Sequence, residues 1–273
     1  MVTRRALLKA AAATGMLALL PAWADDQDFN TLYSMLLAHP ELLAGGNDRE
    51  GRMAESATRA ITPHIKPSAT PVSDNAAKLI ILFEVTSQAV YEKKYRHPVV
   101  PAAESGVTIG VGYDLGYVQP EWLTQDWGDY LDGATVKRLA VACGLTRTKA
   151  KAVLPKVKDI DVPWATAEKQ FKEILLPRYV AETENALLNT KELSPDSLGA
   201  LVSLVYNRGP SFKKTGDRYT EMHQIGAHME NEAFTGIPQE LLDMRRLWQN
   251  NPDTKGLVTR RELEAALFKQ GLA

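Results

Sequence analysis

The chain is poor in cysteine, in net charge and in long apolar runs, and each shortage excludes a class of answer. Its single cysteine, Cys143, permits no disulfide within the chain and no cysteine-based zinc site. The formal net charge is −1, and residues 1–24 hold three basic groups (Arg4, Arg5, Lys9) and no acid, leaving 29 basic against 33 acidic groups in the rest. Such a balance provides no bulk attraction for nucleic acid or for an anionic membrane. The five histidines show no ligand spacing; His223 and His228 are five apart, which does not align them on a helix face, so neither a metal nor a cofactor is expected. The apolar run over residues 10–20 is too short to span a bilayer comfortably. There is no internal repeat and no low-complexity tract. With 45% hydrophobic and 24% charged residues, the 273-residue chain suits one large globular domain, or one domain with an extension.

What is present begins with an export signal. Thr3-Arg4-Arg5-Ala6-Leu7-Leu8-Lys9 is similar to the twin-arginine pattern, and an apolar run and the small-x-small site Ala22-Trp23-Ala24 follow. Residues 1–24 are therefore read as a signal peptide, 25–74 as an extension and linker, and 75–273 as the main domain. The extension carries a helical pattern from Phe29 to Leu36, a break at Gly45-Gly46, a second short helix over 50–60, and a proline-bearing linker or wrapped arm over 63–73. Ser73 or Asp74 caps a helix from about residue 75 with a broad apolar face, and Glu84 lies in that face beside Phe83. Burial there would disfavour the carboxylate and suit a general acid. Further helices are expected over 134–143, 147–154, 163–188 (interrupted by Pro177), 194–208, 218–230, 237–249 and 257–271. Asn207 and Arg208 end one of these as carbonyl caps or sugar contacts, and Arg260 and Arg261 read as structural ion-pair partners.

Between these helical patterns, Ser105-Gly106-Val107-Thr108-Ile109-Gly110-Val111-Gly112-Tyr113-Asp114-Leu115-Gly116 alternates. The odd-numbered Val107, Ile109, Val111 and Tyr113 can bury, and the even-numbered Thr108, Gly110, Gly112 and Asp114 can face a cleft. Thr108 and Asp114 are an even number of residues apart, so a strand or a hairpin that keeps parity puts hydroxyl and carboxylate on one face. Gly110 and Gly112 between them leave bare backbone for a bulky ligand.

Ser105 to Tyr117 resembles the substrate-cleft β-hairpin of phage-type lysozymes, closest to the pesticin-like branch of bacterial toxin homologues. The segments Leu79-Ile80-Ile81-Leu82-Phe83-Glu84, Ser203-Leu204-Val205-Tyr206-Asn207-Arg208-Gly209 and Gly256 to Phe268 agree in order with that pattern. One position departs: Val85 stands where the family often has glycine. The resemblance implies an α+β, mainly α, lysozyme-like fold with a small β-hairpin lobe and a larger helical lobe around a cleft. It implies catalytic roles for Glu84, Thr108 and Asp114, with Gly110, Gly112 and Tyr113 as substrate contacts. Glu104, just ahead of the motif threonine, is the rival to Asp114.

The activity so implied is that of an exported, periplasmic or secreted N-acetylmuramidase acting on peptidoglycan glycan strands. Peptidoglycan is anionic, so a chain of this charge is expected to bind it by groove contacts rather than by bulk attraction. The alternatives are a lytic transglycosylase and a non-catalytic wall-glycan binder. The chain is read as a monomer with no stable membrane anchor and no nucleic-acid partner, and an immunity or inhibitor protein is the partner protein such a toxin-like enzyme would have.

Overall fold

The computed structural model describes residues 27–46, 64–101 and 104–273, and over these the chain is mainly helical with one small two-stranded antiparallel sheet. The proposed signal peptide and the helix expected over 50–60 lie outside the described residues. No described helix is long and apolar enough to cross a membrane.

The extension is integral to the core. Helix α1 (Phe29–Ala38), capped by the Asp28 carboxylate, buries Phe29, Leu32 and Leu36 in the same apolar cluster as the rest of the fold. After a 3₁₀ turn at Pro40–Leu43, the Ala44 carbonyl accepts from the Gly256 amide at 2.7 Å and the Leu42 carbonyl from the Thr259 hydroxyl at 3.0 Å. The spacing of the apolar residues is the reason for the helix; its partner, the far end of the chain, is not written in it.

Residues 64–73 form the expected wrapped arm. His64 stacks on Trp122, the Ile65 carbonyl accepts from the Arg178 guanidinium, the Ser68 amide donates to the Pro177 carbonyl, and Thr70 donates to Glu184. The arm leads into α2 (Asp74–Val85), capped by Ser73, whose apolar face is almost wholly buried. A short helix α3 (Gln88–Lys94) leads to the hairpin of β1 (Thr108–Ile109) and β2 (Tyr113–Asp114). Then come α4 (Pro120–Trp127), α5 (Gly133–Leu139), α6 (Arg147–Val153) and α7 (Trp164–Gln170).

The expected long helix exists with an adjustment at its proline. A π-helical turn, Phe171–Leu175, joins α7 to α8 (Leu176–Ala186) just before Pro177, which has no N–H for the regular ladder. Helix α9 (Pro195–Arg208) begins at the Ser194 cap and stops at Gly209 as its sequence predicts, and it is buried along nearly its whole length. After α10 (Thr220–Glu230) and α11 (Ile237–Asp243), α12 (Lys255–Gln270) closes the fold. Helix α9 packs against α12, α2 and α8, and α12 packs in turn against α1, α2 and α11.

One buried polar cluster ties arm, hairpin and long helix together. Asp126 is fully buried and accepts from the Tyr113 hydroxyl at 2.7 Å, from both terminal nitrogens of Arg178, and makes a 3.0 Å contact with His64 Nε2. Burial pushes the Asp126 carboxyl upward, but the hydrogen bonds from His64, Arg178 and Tyr113 with the Arg178 charge outweigh it, and the net direction is down. A depressed carboxyl stabilises the fold at every pH above its ordinary value and loses that contribution as pH falls through the lower folded value. Melting temperature should therefore stay level down to about pH 4 and decline below it. In Asp126→Asn, which melts lower throughout, that acid limb should be shallower; an unchanged limb would clear Asp126 of the effect.

Candidate active site

The hairpin keeps the parity that its sequence predicts. Thr108 pairs directly with Asp114 and Ile109 with Tyr113, across the three-residue loop Gly110-Val111-Gly112. Directly opposed residues in an antiparallel pair share a face, so hydroxyl and carboxylate are neighbours. Val107, Ile109, Val111 and Tyr113 are all buried, as the alternation requires.

Asp114 is aimed by backbone. Its Oδ1 accepts from the Gly106 amide at 3.0 Å and the Gly116 amide at 2.9 Å, and Oδ2 lies 3.2 Å from the Gly106 nitrogen. Gly106 and Gly116 are pressed together around it: a Cβ on Gly106 would sit 2.3 Å from the Gly116 nitrogen and 2.4 Å from Asp114 Oδ1. Beside it, Thr108 is only 8% exposed, and its Oγ1 is buried without a hydrogen-bond partner among the described residues. A buried hydroxyl left without a protein partner costs free energy unless a water or ligand satisfies it.

The rival carboxylate, Glu104, forms an ion pair with Arg147 and is half-exposed. It has no part in the hairpin register, which leaves Asp114 as the carboxylate beside Thr108.

Two of the expected substrate contacts are committed to packing. Tyr113 is 4% exposed, its ring packs edge-on to Trp127, and its hydroxyl is spent on Asp126. Burial and the Asp126 charge push its phenol well above the ordinary value, so it stays a hydrogen-bond donor in the core. Gly110 has φ +57°, and the space a side chain would need is filled by Trp127, whose ring would lie 2.7 Å from a Cβ there. Its glycine answers to turn geometry and packing. Gly112, also at positive φ, remains partly exposed at the tip.

Glu84 lies one residue before the end of α2, and its side chain is 2% exposed. Its surroundings are less apolar than expected. Arg260 Nη1 donates to Glu84 Oε1 at 3.1 Å, and the same nitrogen reaches the Gly46 carbonyl at 3.3 Å. Arg260 is fully buried, lies over the Phe83 ring, and shares Glu264 with Arg261. Arg261, also fully buried, is pushed down to about 9 by burial, with Glu264 opposing and the charges of Arg260 and Arg208 adding to the fall.

Asn207 and Arg208 are committed to the interior as well. Asn207 Oδ1 accepts from Arg261, while Arg208 donates to the Arg218 carbonyl and stacks over Trp248, so both are buried groups rather than surface sugar contacts.

The structure brings Thr108 and Asp114 together and sets Glu84 in a buried ion cluster with Arg260. Two links join these parts. The Glu84 charge helps raise the Tyr95 phenol, after burial, and four residues on Val99 exchanges hydrogen bonds with Thr108 at 2.7 and 3.1 Å. Tyr206, on the helix against which α2 packs, donates to the Val111 carbonyl at the hairpin tip at 2.6 Å.

The end of α2 is strained. Thr86 has φ 67° and ψ −61°, and the Ser87 amide donates to the Val85 carbonyl at 2.8 Å. This is a γ-turn of the rare positive-φ kind, at a β-branched residue two positions after Glu84. Such strain costs about 1–3 kcal/mol, and a glycine there gives back roughly 0.5–1 kcal/mol through chain entropy. Thr86→Gly should raise the melting temperature by about 2–4 °C; a fall would show that the turn carries no strain.

Among the described residues no group of three or more His, Cys, Asp or Glu side chains could hold a metal ion. Compared with known proteins, the chain matches no family model and no curated protein.

Proposed function

We propose that the chain is an exported N-acetylmuramidase with a lysozyme-like fold, which hydrolyses the β-1,4 bond between N-acetylmuramic acid and N-acetylglucosamine. The observation that carries this reading is the Thr108–Asp114 pair: a carboxylate oriented by two backbone amides, beside a buried hydroxyl that lacks a partner among the described residues. A water held between them would lose its proton to Asp114 as its oxygen bonds to the anomeric carbon. Glu84, the acid that the family resemblance implies, would have to turn from Arg260 toward the cleft to pass its proton to the departing glycosidic oxygen, and solvent would then restore both groups. The pair argues against a transglycosylase, which uses no water. Export rests on residues 1–24, and the family resemblance rests on the motif and the order of its companions.

The test is digestion of purified peptidoglycan by residues 25–273 with product masses read out. Hydrolysis adds one water per cut and frees reducing ends. Products one water lighter, with a 1,6-anhydro ring, would replace the reading by a transglycosylase. Wall binding without new ends would leave a glycan-binding protein.

A further inference from the structure

The near-zero net charge is the sum of two unlike parts. Residues 133–158 contain seven basic side chains and no acid, while the rest of the chain holds 25 basic against 33 acidic groups. All seven are exposed. Arg138 is engaged by Asp159 and Arg147 by Glu104, but Lys137, Lys149, Lys151, Lys156 and Lys158 have no ion-pair partner among the described residues. The segment thus carries a local excess of positive charge, and ion pairs among the described residues offset only its two arginines.

The segment is also fastened to the candidate site. The Arg147 amide donates to the Ser105 carbonyl at 3.0 Å, the Gly144 amide to the Leu115 carbonyl at 3.0 Å, and Thr146 bridges to Gly106, whose amide holds Asp114.

We propose that this lysine-rich segment docks the carboxylate-bearing peptide stems of a peptidoglycan strand whose sugar chain lies at Thr108 and Asp114; the inference rests on the muramidase reading. The residue types favour carboxylates on flexible stems. The unpaired cations are all lysines, compact charges on mobile chains that need no fixed partner geometry. Both arginines, which would grip phosphate in a bidentate way, are already occupied. The segment has no aromatic residue, so it offers no platform on which nucleic-acid bases could stack. Attraction to the wall is thus local to one flank of the site, not a property of the whole chain.

The experiment compares the full chain with its Lys149→Gln, Lys151→Gln, Lys156→Gln triple variant in co-sedimentation with purified sacculi. The three side chains are exposed and unpaired, so melting curves should coincide. At low salt the parent should bind at least roughly tenfold more tightly, the lower end of what a one-sign surface confers. The gap should close near 1 M salt, where the screening length is about 3 Å. Sacculi whose peptide carboxylates have been amidated should bind the parent as weakly as the variant. Equal binding by parent and variant at low salt, or undiminished binding to amidated sacculi, overturns the proposal. So does lysine-dependent binding to single-stranded DNA that is tighter than binding to sacculi. Lysine-dependent wall binding without release of reducing ends would sink the muramidase reading and leave the docking surface standing; hydrolysis with lysine-independent binding would do the reverse.

Discussion

Arg260→Ala is expected to cost about 3–5 kcal/mol, the usual penalty for removing one partner of a buried ion pair. The residue is fully buried and serves Glu84, Glu264, both oxygens of Ser203 and the Gly46 carbonyl. Without it, Glu84 loses a buried counter-charge, while Glu264 keeps its ion pair with Arg261. Against a total stability of about 5–15 kcal/mol, that loss is large enough to leave part of the population unfolded at growth temperature. Urea titration reads it as a lower midpoint with an unchanged slope. The same change made in a Glu84→Gln background should cost less, because one stranded charge is already gone; identical costs in both backgrounds would mean that the two side chains do not interact.

Glu84→Gln is expected to lower peptidoglycan hydrolysis by about 10²–10⁴-fold, the range that a positioned general acid contributes. The amide keeps the shape and can still accept from Arg260, so the variant should remain folded at room temperature. Reducing-end release on sacculi, with the melting temperature measured in parallel, separates lost chemistry from lost structure. A folded variant that digests wall at the parent rate would remove Glu84 from the mechanism. Arg260 adds a second reading of the same assay: if it aims the carboxyl, Arg260→Lys should reduce the rate more than it reduces stability.

Local pattern made much of this legible. The Thr108–Asp114 pairing follows from alternation and an odd-length loop, and α9 follows from a cap, a proline and a stop glycine. What sequence did not display is who meets whom over long separations. Arg260 and Glu84 are 176 residues apart, and Tyr206 and Val111 are 95 apart. Asp126, Tyr113, Arg178 and His64 are each unremarkable in place and become a network only through folding. Signals existed for two of the omissions. Arg260-Arg261-Glu262-Leu263-Glu264 in an otherwise buried helix calls for polar partners on the neighbouring helix, which Ser203 and Asn207 supply one turn apart. The acid-free run over 133–158 is plain in a local count but vanishes in a whole-chain sum.

The clasp between Leu42 and Thr259, 217 residues apart, bears on when the protein can become native. During synthesis α1 leaves the ribosome long before α12, its cover, has been translated. The nascent chain must keep Phe29, Leu32 and Leu36 waiting, which makes closure of the core a late event and gives chaperones their longest opportunity.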